Sequence, residues 1–523
     1  MNKQELAAKI WSTANELRKN IKASEYKDYI LGFMFYKYLC DKEVDYLKDL
    51  GGVIDDLLDV DDDIKDKFKD GIGYFISHKN LFHVWKESGV NLGAKDVSEA
   101  LDDFYLNLNG RYKTVFDKVF SALQTGLTKL GENSGSRDKA VRDIVDLVDL
   151  IPPTSREYDV LGYIYEYLIQ QFSSEAKKDG AFYTPHELTS LMARIVANRL
   201  KDREKVYCYD PTVGSGGLLL NIGKEVGRYV PSDNIHYFGQ ELITETANLA
   251  KMNLFMQGIP VQNINMRNAN TLEDDWPYFD EQTAYAPLFV DAVVSNPPYS
   301  AHYEPEQHQT DVRYKGYGLA PAGKADYAFL LHCLYHIKND GVMAIVLPHG
   351  VLFRGDSEGE IRKNLILNHN IETIISFPQQ LFFATPIPVI VMILSKNRCE
   401  DDILFIDASQ SYKRDKKLNV LPESDVQRIF DTVIARKDVP NYAHLATMEE
   451  IEANGYNLNV PRYISATTEE APYDLFSVMT GKVSDKELEV FDAIWQQFPS
   501  LREKLLDKVD GYNAFADANV KDT

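Results

Sequence analysis

A chain of 523 residues is several times the length of a common domain of ~150 residues, so about three domains are expected. Hydrophobic residues make up 44% of the sequence and charged residues 26%, which excludes disordered, collagen-like and coiled-coil proteins. The formal net charge of −22 argues against a sequence-wide electrostatic grip on nucleic acid or on an anionic membrane. Any DNA binding must therefore be local or shared with a partner.

The cysteines indicate the compartment. They lie far apart, form no C-x-x-C pair and have no histidine at zinc-finger spacing, so we expect no metal site and reduced thiols in a cytoplasmic protein. They are Cys40, Cys208, Cys333 and Cys399. No stretch approaches the ~18 apolar residues of a membrane span, and we expect neither an export signal nor a membrane anchor.

Three regions follow one another along the chain. Residues 1–155 repeat apolar side chains at three- and four-residue steps, which predicts an all-helical domain. Residues 156–410 alternate short β-branched runs with helical stretches, which predicts a mostly parallel sheet with helices on both faces. Residues 411–523 are predicted to form a mixed, partly helical C-terminal extension. Its helix at 485–506, which we expect Pro499 to break, either docks on its own core or binds a partner. The predicted strands are 206–209, 235–240, 289–295, 342–347, 371–377, 388–394 and 403–406.

The first chemical signal is a glycine-rich turn, Asp210-Pro-Thr-Val-Gly-Ser-Gly216, between a predicted strand and an apolar helix. Glycines allow a ligand to approach the backbone closely, and the helix start offers unpaired N–H groups. A simple tight turn would explain the glycines alone. However, Glu241 ends the next strand, where a carboxylate is suited to hold ribose hydroxyls. A nucleoside-bearing cofactor is therefore the favoured ligand.

The second signal is a buried-type strand that stops at Asn296-Pro297-Pro298-Tyr299. Prolines end the strand ladder and stiffen the backbone, so a rigid loop is one interpretation. The alternative is a site for a planar amine. Asn296 and the Pro297 carbonyl can accept hydrogen bonds from an NH2 group, while Tyr299 stacks on its ring.

These two motifs together resemble the adenine-N6 DNA methyltransferases that use S-adenosylmethionine. Gly180-Ala-Phe-Tyr-Thr-Pro185 is similar to the family segment that holds the methionine end of the cofactor. Asn454-Gly-Tyr-Asn-Leu-Asn-Val-Pro-Arg-Tyr463 looks like a signature of the modification subunit of type I restriction-modification systems. With four motifs in the family's order, the chain is identified as resembling that subunit over nearly its whole length.

The resemblance implies a Rossmann-like S-adenosylmethionine-dependent domain and assigns its site. The implied cofactor residues are Phe182, Tyr183, Thr184, Pro185, Asp210, Thr212, Gly214, Ser215, Gly216, Glu241, Asn270 and Thr271. The implied catalytic residues are Asn296, Pro297, Pro298 and Tyr299, with Phe382 and Phe383 equally placed for a second aromatic against the base. The family usually carries Asp where this chain has Asn270, which keeps a hydrogen-bond acceptor but loses the charge.

The mechanism implied is transfer to an adenine extruded from the duplex. Hydrogen bonds from its amine to Asn296 and Pro297 would favour attack on the methyl group, with S-adenosylhomocysteine as product, and no metal or covalent enzyme intermediate is needed.

The resemblance also implies partners. They are DNA, a sequence-specificity subunit and a second copy of the modification subunit, in the cytoplasm of a bacterium; whether a restriction subunit joins stays open. Four cations near the catalytic edge either grip a DNA backbone or are ordinary surface charges. They are Arg313, Lys315, Lys324 and Arg354.

Three other functions remain as alternatives. The Asn-Pro-Pro-Tyr box also serves methyltransferases that act on RNA or on protein glutamine, although these usually lack a long helical N-terminal domain. A non-catalytic assembly subunit could have lost its chemistry through Asn270. A dinucleotide dehydrogenase is less favoured, because the glycine turn lacks the full G-x-G-x-x-G pattern.

Overall fold

The computed structural model describes residues 2–18, 23–152, 158–175, 184–273, 276–277, 286–299, 301–382, 386–415, 418–464 and 475–516. The chain divides into two compact units, Met1–Tyr463 and Ile464–Thr523. The first unit contains both the helical N-terminal region and the sheet, together with much of the segment 411–463 that the sequence placed in the C-terminal extension.

The N-terminal region is helical, as predicted. Its α-helices are α1 Lys3–Arg18, α2 Ala23–Asp49, α3 Asp62–Ile72, α4 Phe82–Ser88, α5 Ala94–Leu106, α6 Lys113–Phe116, α7 Ser121–Gly126 and α8 Ser134–Asp149. Local chemistry sets their ends. Helix α3 begins where the Asp61 carboxylate accepts a hydrogen bond from the Ile64 amide, and it ends at Gly73, whose φ of 95° few other residues adopt.

The centre of the first unit is a nine-stranded sheet in the order β11-β8-β6-β7-β5-β4-β1-β2-β3. Its strands are β1 Val206–Asp210, β2 Ile235–Glu241, β3 Ile264–Asn268, β4 Val290–Ser295, β5 Ile337–Pro348, β6 Ile371–Ser376, β7 Val389–Ser395, β8 Ile403–Asp407 and β11 Ala443–Ala446. Strands β7 and β11 run antiparallel to their neighbours, and the remaining pairs are parallel. The predicted α/β fold with an all-helical N-terminal region is therefore confirmed.

Helices and one hairpin complete the first unit. The helices are α9 Tyr158–Glu175, α10 His186–Leu200, α11 Gly217–Val226, α12 Thr244–Met256, α13 Asp326–His336, α14 Asp356–Leu367, α15 Glu423–Ala435 and α16 Met448–Ala453. The antiparallel hairpin consists of β9 Lys413–Asp415 and β10 Leu418–Val420. Strands β4, β6 and β7 are buried along their whole length, and this accounts for the continuous apolar run of β7.

The topology brings the two sequence motifs together. Strand β1 pairs in parallel with both β2 and β4, so their carboxyl ends lie at one edge of the sheet. The turn after β1 therefore lies between the end of β2, which carries Glu241, and the end of β4, which leads into Asn296. This is the edge at which open α/β sheets bind their ligands.

The second unit divides the helix predicted over residues 485–506 into shorter helices, with the break expected at Pro499. It contains α17 Leu475–Thr480, α18 Asp485–Leu488, α19 Asp492–Gln497 and α20 Pro499–Leu505, followed by the antiparallel strands β12 Leu506–Val509 and β13 Tyr512–Phe515. The main break falls at Phe498, whose ψ of 69° is not helical. Its cause is Pro499, which has no N–H and so begins a new helix instead of continuing the old one.

Candidate active site

The glycine turn after β1 adopts backbone conformations that glycine favours. Gly214 has a φ of 55°, and Gly216 has a φ of 84° immediately before α11. The turn is fixed to the neighbouring strand because the Val213 amide donates to the Gln240 carbonyl at 3.0 Å. Within the turn, the Gly216 amide donates to the Val213 carbonyl at 2.9 Å. The backbone therefore curls tightly at the start of α11, as a close approach to a ligand requires.

Asp210 ends β1 and is fully buried. Its Oδ1 accepts a hydrogen bond from the Thr212 amide at 2.9 Å, and the Thr212 hydroxyl lies 2.8 Å from the Ser295 hydroxyl at the end of β4. Its Oδ2 is also buried and has no hydrogen-bond partner in the described part of the chain. Burial raises the pKa of Asp210 to about 8. When the carboxyl group is ionised, its Oδ2 is an acceptor for a donor from outside the chain, and such a donor would favour the ionised form.

The carboxylate of Glu241 accepts hydrogen bonds from two loops, the glycine turn after β1 and the loop that follows β2. Its Oε2 accepts from the Gly214 amide at 3.1 Å, and its Oε1 accepts from the Ile243 amide at 3.0 Å. Burial raises the pKa of its carboxyl group, although the backbone donors oppose this shift. Directly after it, the apolar side chains of Leu242 and Ile243 are 64% and 53% exposed. Exposed apolar groups beside a carboxylate suit a ligand with a ring next to hydroxyl groups.

Sequence reasoning did not select Leu242 and Ile243. The available signal was an apolar pair directly after the acidic end of a strand, which is a place where burial in the protein's own core is not expected.

The loop after β3 contacts the glycine turn after β1. The Thr271 hydroxyl donates to the Pro211 carbonyl at 2.6 Å, so the two loops are in direct contact. The Asn270 side-chain oxygen accepts from the Leu272 amide at 3.1 Å. This local bond stabilises a turn of the kind that Asn and Asp form equally well. The loss of charge at Asn270 therefore leaves the loop conformation intact.

Asn296 is buried, and both ends of its side-chain amide are oriented. Its Nδ2 donates to the Thr184 hydroxyl at 2.8 Å, and its Oδ1 accepts from the Tyr299 hydroxyl at 3.0 Å. The amide oxygen retains a second lone pair for an external donor. Burial raises the pKa of Tyr299, so its hydroxyl stays protonated and remains a donor. Pro297 is buried, whereas Pro298 is exposed.

Phe382, one of the two equally placed candidates for a second aromatic against the base, contacts Tyr299. The rings of Tyr299 and Phe382 have centroids 6.5 Å apart and meet edge to face at 77°. Phe383, the other candidate, lies outside the described residues, as do Phe182 and Tyr183. Pro185 is described and precedes α10 directly.

One cavity connects the two motifs. It is lined by predicted residues from the segment before α10, from the glycine turn and from the end of β4. Four further lining residues were not predicted from the sequence, namely Glu166, His186, Thr189 and Asn221. The predicted residues in its lining are Thr184, Asp210, Thr212, Gly214, Ser215 and Asn296. The missed residues lie on helices α9, α10 and α11 and belong to no motif, so only the packing of those helices reveals them.

The cations near this edge are not all surface charges. Arg313 is buried and forms an ion pair with Asp311 at 2.6 Å, so it cannot grip a DNA backbone. Arg354 is paired with Asp326 at 2.9 Å and with Glu358 at 3.1 Å. Of the four cations that either grip a DNA backbone or are ordinary surface charges, only Lys315 and Lys324 are therefore exposed in the described structure.

Neither a metal-binding cluster nor a membrane-spanning helix is present among the described residues. No group of three or more histidine, cysteine, aspartate or glutamate side chains there could hold a metal ion. No helix among them has the length and apolar character needed to cross a membrane.

Comparison with known proteins identifies the class to which this fold and site belong. The N-6 DNA methylase family matches residues 156–471, and the HsdM N-terminal domain matches residues 6–148. The first match covers more than half of the chain. The chain therefore belongs to the N-6 DNA methylase family and is an adenine-specific DNA methyltransferase.

Relatives that match nearly the whole chain indicate to which group within the family it belongs. The chain is 32% identical over 495 residues to the methylase subunit of the type I restriction enzyme MpnII of Mycoplasma pneumoniae, covering 89% of this chain and 90% of that protein. It is 31% identical over 485 residues to the MjaVIII methylase subunit of Methanocaldococcus jannaschii, covering 90% and 80% respectively. A crystal structure of the type I restriction-modification methyltransferase subunit of Streptococcus thermophilus is 37% identical, with a TM-score of 0.82, and the match covers 89% of this chain and all of that one. The chain is thus a member of the methylase subunits of type I restriction enzymes, as the sequence motifs predicted.

Proposed function

We propose that this chain transfers a methyl group from S-adenosylmethionine to the N6 amine of an adenine flipped out of DNA, at the site formed by Asn296 and the glycine turn. The observation that carries the proposal is the oriented Asn296 amide. Its nitrogen is held by Thr184, which lines the cavity of the glycine turn, and its oxygen is held by Tyr299. A single side chain thus connects the candidate cofactor pocket to the candidate base pocket.

The residues present fit the cofactor. The unpartnered, buried Oδ2 of Asp210 offers an acceptor, and the turn at Gly214 and Gly216 offers close backbone approach. Glu241, with Leu242 and Ile243 beside it, suits the ribose and adenine of a nucleoside. Bound there, S-adenosylmethionine would supply an electrophilic methyl group. Thr184, Pro185, Thr212, Ser215, Asn270 and Thr271 would line the remainder of its pocket.

The protein's part in the reaction is to position the amine and to stabilise the charge that develops on it. The Asn296 Oδ1 and the Pro297 carbonyl would accept hydrogen bonds from the two N–H groups of the adenine amine. These bonds strengthen as positive charge develops on the nitrogen, so they stabilise the transition state more than the ground state. Tyr299 and Phe382 would contact the base, with the Pro298 segment keeping the backbone rigid. After extrusion the base would be held by stacking and by its amine together.

The charge of the chain supports a shared DNA interface. Phosphate contacts dominate DNA affinity, and a chain with a net charge of −22 whose Arg313 and Arg354 are paired internally has few cations to provide them. The chain therefore binds DNA together with a sequence-specificity subunit and a second copy of itself, in the cytoplasm. A restriction subunit is a further candidate member of that complex.

The test is methylation by the assembled complex. The chain is co-expressed with its specificity subunit, given labelled S-adenosylmethionine and unmethylated DNA, and the modified nucleoside is identified by mass spectrometry. We expect N6-methyladenine, and we expect Asn296→Ala to abolish it while S-adenosylhomocysteine binding stays within about threefold of the wild type, because Asn296 acts on the base.

Two results would contradict the proposal. Cofactor binding without any modified nucleoside would indicate an assembly subunit or a methyltransferase with an RNA or protein substrate. Retained transfer by Asn296→Ala would remove Asn296 from the catalytic site.

A further inference from the structure

A buried arginine holds the loop that follows β3. The guanidinium of Arg313 donates through Nη1 to the Thr271 carbonyl at 2.7 Å and through Nη2 to the carbonyls of Leu272 and Glu273 at 3.3 and 3.2 Å. Its Nε and Nη2 also bind Asp311, at 3.1 and 2.6 Å. The planar fork of arginine provides this many fixed donors, whereas the ammonium group of lysine does not.

The same guanidinium begins a chain of hydrogen bonds to the ends of β1 and β2. Arg313 Nη1 lies 3.0 Å from His332 Nδ1, and His332 Nε2 lies 3.0 Å from the Tyr209 hydroxyl. The Tyr209 hydroxyl in turn lies 3.2 Å from Gln240 Oε1. Because arginine only donates, Nδ1 of His332 must accept, and Nε2 then carries the proton and donates to Tyr209. Tyr209 consequently donates to Gln240.

The ends of this network lie next to the candidate cofactor residues. Tyr209 directly precedes Asp210, Gln240 directly precedes Glu241, and Thr271 directly follows Asn270. The network is buried throughout, so water does not compete for its bonds. The three loops that would surround the nucleoside are thus connected through one side chain, which comes from the segment after the Asn296 motif.

From this we infer that Arg313 is a positioning residue for the adenosine half of the cofactor. The inference rests on the proposed function, because it names the ligand of the same site. Arg313 does not contact the ligand. It fixes the backbone of the loop at 270–273 and, through His332 and Tyr209, the ends of β1 and β2, so that the adenosine site is formed before the ligand arrives.

The test separates the adenosine half of the ligand from the methionine half. Calorimetry measures the affinity of the full chain for S-adenosylhomocysteine and for 5′-methylthioadenosine, which has the same nucleoside but lacks the amino acid. For Arg313→Lys we expect both affinities to fall by the same factor, about tenfold, because the lost bonds act on the nucleoside side alone. In the assembled complex, KM for S-adenosylmethionine should rise by a similar factor with kcat within about twofold.

Arg398 provides a matched control. Its side chain is also largely buried and donates to backbone carbonyls, those of Ile371 at 2.6 Å and Asp402 at 3.0 Å. Ile371 begins β6, so this arginine lies at the amino end of its strand, away from the carboxyl ends that form the candidate site. Arg398→Lys should lower the melting temperature without changing either affinity. If Arg313→Lys does not fold, Asp311→Asn takes its place, since it removes the charge and one of the two oxygens that orient the guanidinium, and it should weaken both ligands in the same proportion.

The outcomes distinguish a failure of the proposed cofactor site from a failure of the positioning role of Arg313. A wild-type chain that binds neither ligand would contradict the proposed cofactor site itself. A wild type that binds both, with an Arg313→Lys or Asp311→Asn variant of unchanged affinity, would overturn the positioning role alone. A variant that loses S-adenosylhomocysteine but keeps 5′-methylthioadenosine would also overturn it, because the defect would then lie on the amino-acid side.

Discussion

The carboxyl group of Asp210 is a buried acid with one satisfied and one unsatisfied oxygen. Burial raises its pKa from 3.8 to about 8, so the folded chain binds this proton more tightly than the unfolded chain does. The stability linked to the proton is complete at low pH and is lost as the pH rises towards 8. The site therefore costs stability at the pH at which it works, and a bound ligand that donates to Oδ2 would offset this cost.

Asp210→Asn tests this linkage, because asparagine imitates the neutral acid at every pH. We expect the melting temperature of the variant to match that of the wild type below the ordinary pKa of 3.8, where the unfolded chain also keeps the proton, and to exceed it by a growing margin as the pH rises to about 8. The affinity for S-adenosylhomocysteine should fall at the same time. Differential scanning fluorimetry over the pH series and calorimetry measure the two effects.

A matched control for Asp210→Asn is Asp291→Asn. Asp291 is equally buried, but its carboxylate is paired with Lys338 at 2.9 Å and accepts from the Tyr207 amide at 2.9 Å. Removing a paired charge should lower the melting temperature instead of raising it. A difference between Asp210→Asn and wild type that stays constant from low to high pH would show that Asp210 is not the group that titrates.

At the scale of elements, the sequence predicted seven strands of the nine-stranded sheet from their β-branched and aromatic runs and missed the other two. The missed strand β3 has the sequence Ile-Asn-Met-Arg-Asn, in which only the first residue is buried. The other, β11, is a four-residue edge strand. Neither has the apolar period on which sequence patterns depend.

The residues of the candidate site also fall into two groups, those that the sequence predicted and those that it did not. The residues in motifs, such as Asp210 and Asn296, were predictable because strand ends and turns mark them in the sequence. Leu242 and the network of Arg313 were not, because their roles depend on contacts between segments far apart in the chain. Arg313 and His332 belong to no motif, and only the packing of α13 against the sheet brings them together.

The β9–β10 hairpin stabilises the loop that carries Phe382. The Asn419 amide donates to the Gln380 carbonyl at 3.0 Å, and the Asn419 Nδ2 donates to the Gln379 carbonyl at 2.7 Å. Arg414, on the other strand of the hairpin, binds the side chain of Gln380 as well. Gln380 has a φ of 59°, a conformation that is unfavourable for residues with a side chain. The hairpin thus keeps the loop in a shape that it would otherwise leave.

Asn419→Ala should lower kcat for methylation about tenfold and leave KM for S-adenosylmethionine unchanged, because the loss of its side-chain bonds to Gln379 and Arg414 allows Phe382 to leave Tyr299. Steady-state methylation by the assembled complex measures both constants. Asn263→Ala is the control, since Asn263 is a buried asparagine that also donates to backbone carbonyls, at 3.0 Å to Ile235, but at the opposite end of β2. Equal kcat values for the two variants would show that the hairpin has no role in catalysis.

At the scale of the whole molecule, one aromatic side chain links the helical N-terminal region to the sheet. Phe255 of α12 contacts Phe35, Tyr38 and Phe116, with ring centroids 5.9, 5.6 and 5.4 Å away. The Tyr38 hydroxyl also donates to the Phe255 carbonyl at 3.2 Å. Helix α12 lies between Glu241 and the Asn270 loop along the chain. The N-terminal region therefore packs against the element that connects two parts of the candidate cofactor pocket.

Phe255→Ala should cost ~3–5 kcal/mol, as truncation of a buried phenylalanine does, and the loss should fall unevenly. We expect hydrogen exchange, followed by mass spectrometry, to become faster in α2 and α6 while exchange in β4 and β5 stays near the wild-type rate. The reason is that α2 and α6 carry the rings that contact Phe255 and lose this anchor, whereas the sheet keeps its own core. The control is Phe405→Ala, which removes a buried ring from β8 that stacks on Tyr463 at 4.0 Å. It should accelerate exchange in the sheet and spare α2. If both variants accelerate exchange uniformly over α2 and β4, the helical region and the sheet unfold as a single cooperative unit, and Phe255 is an ordinary core residue.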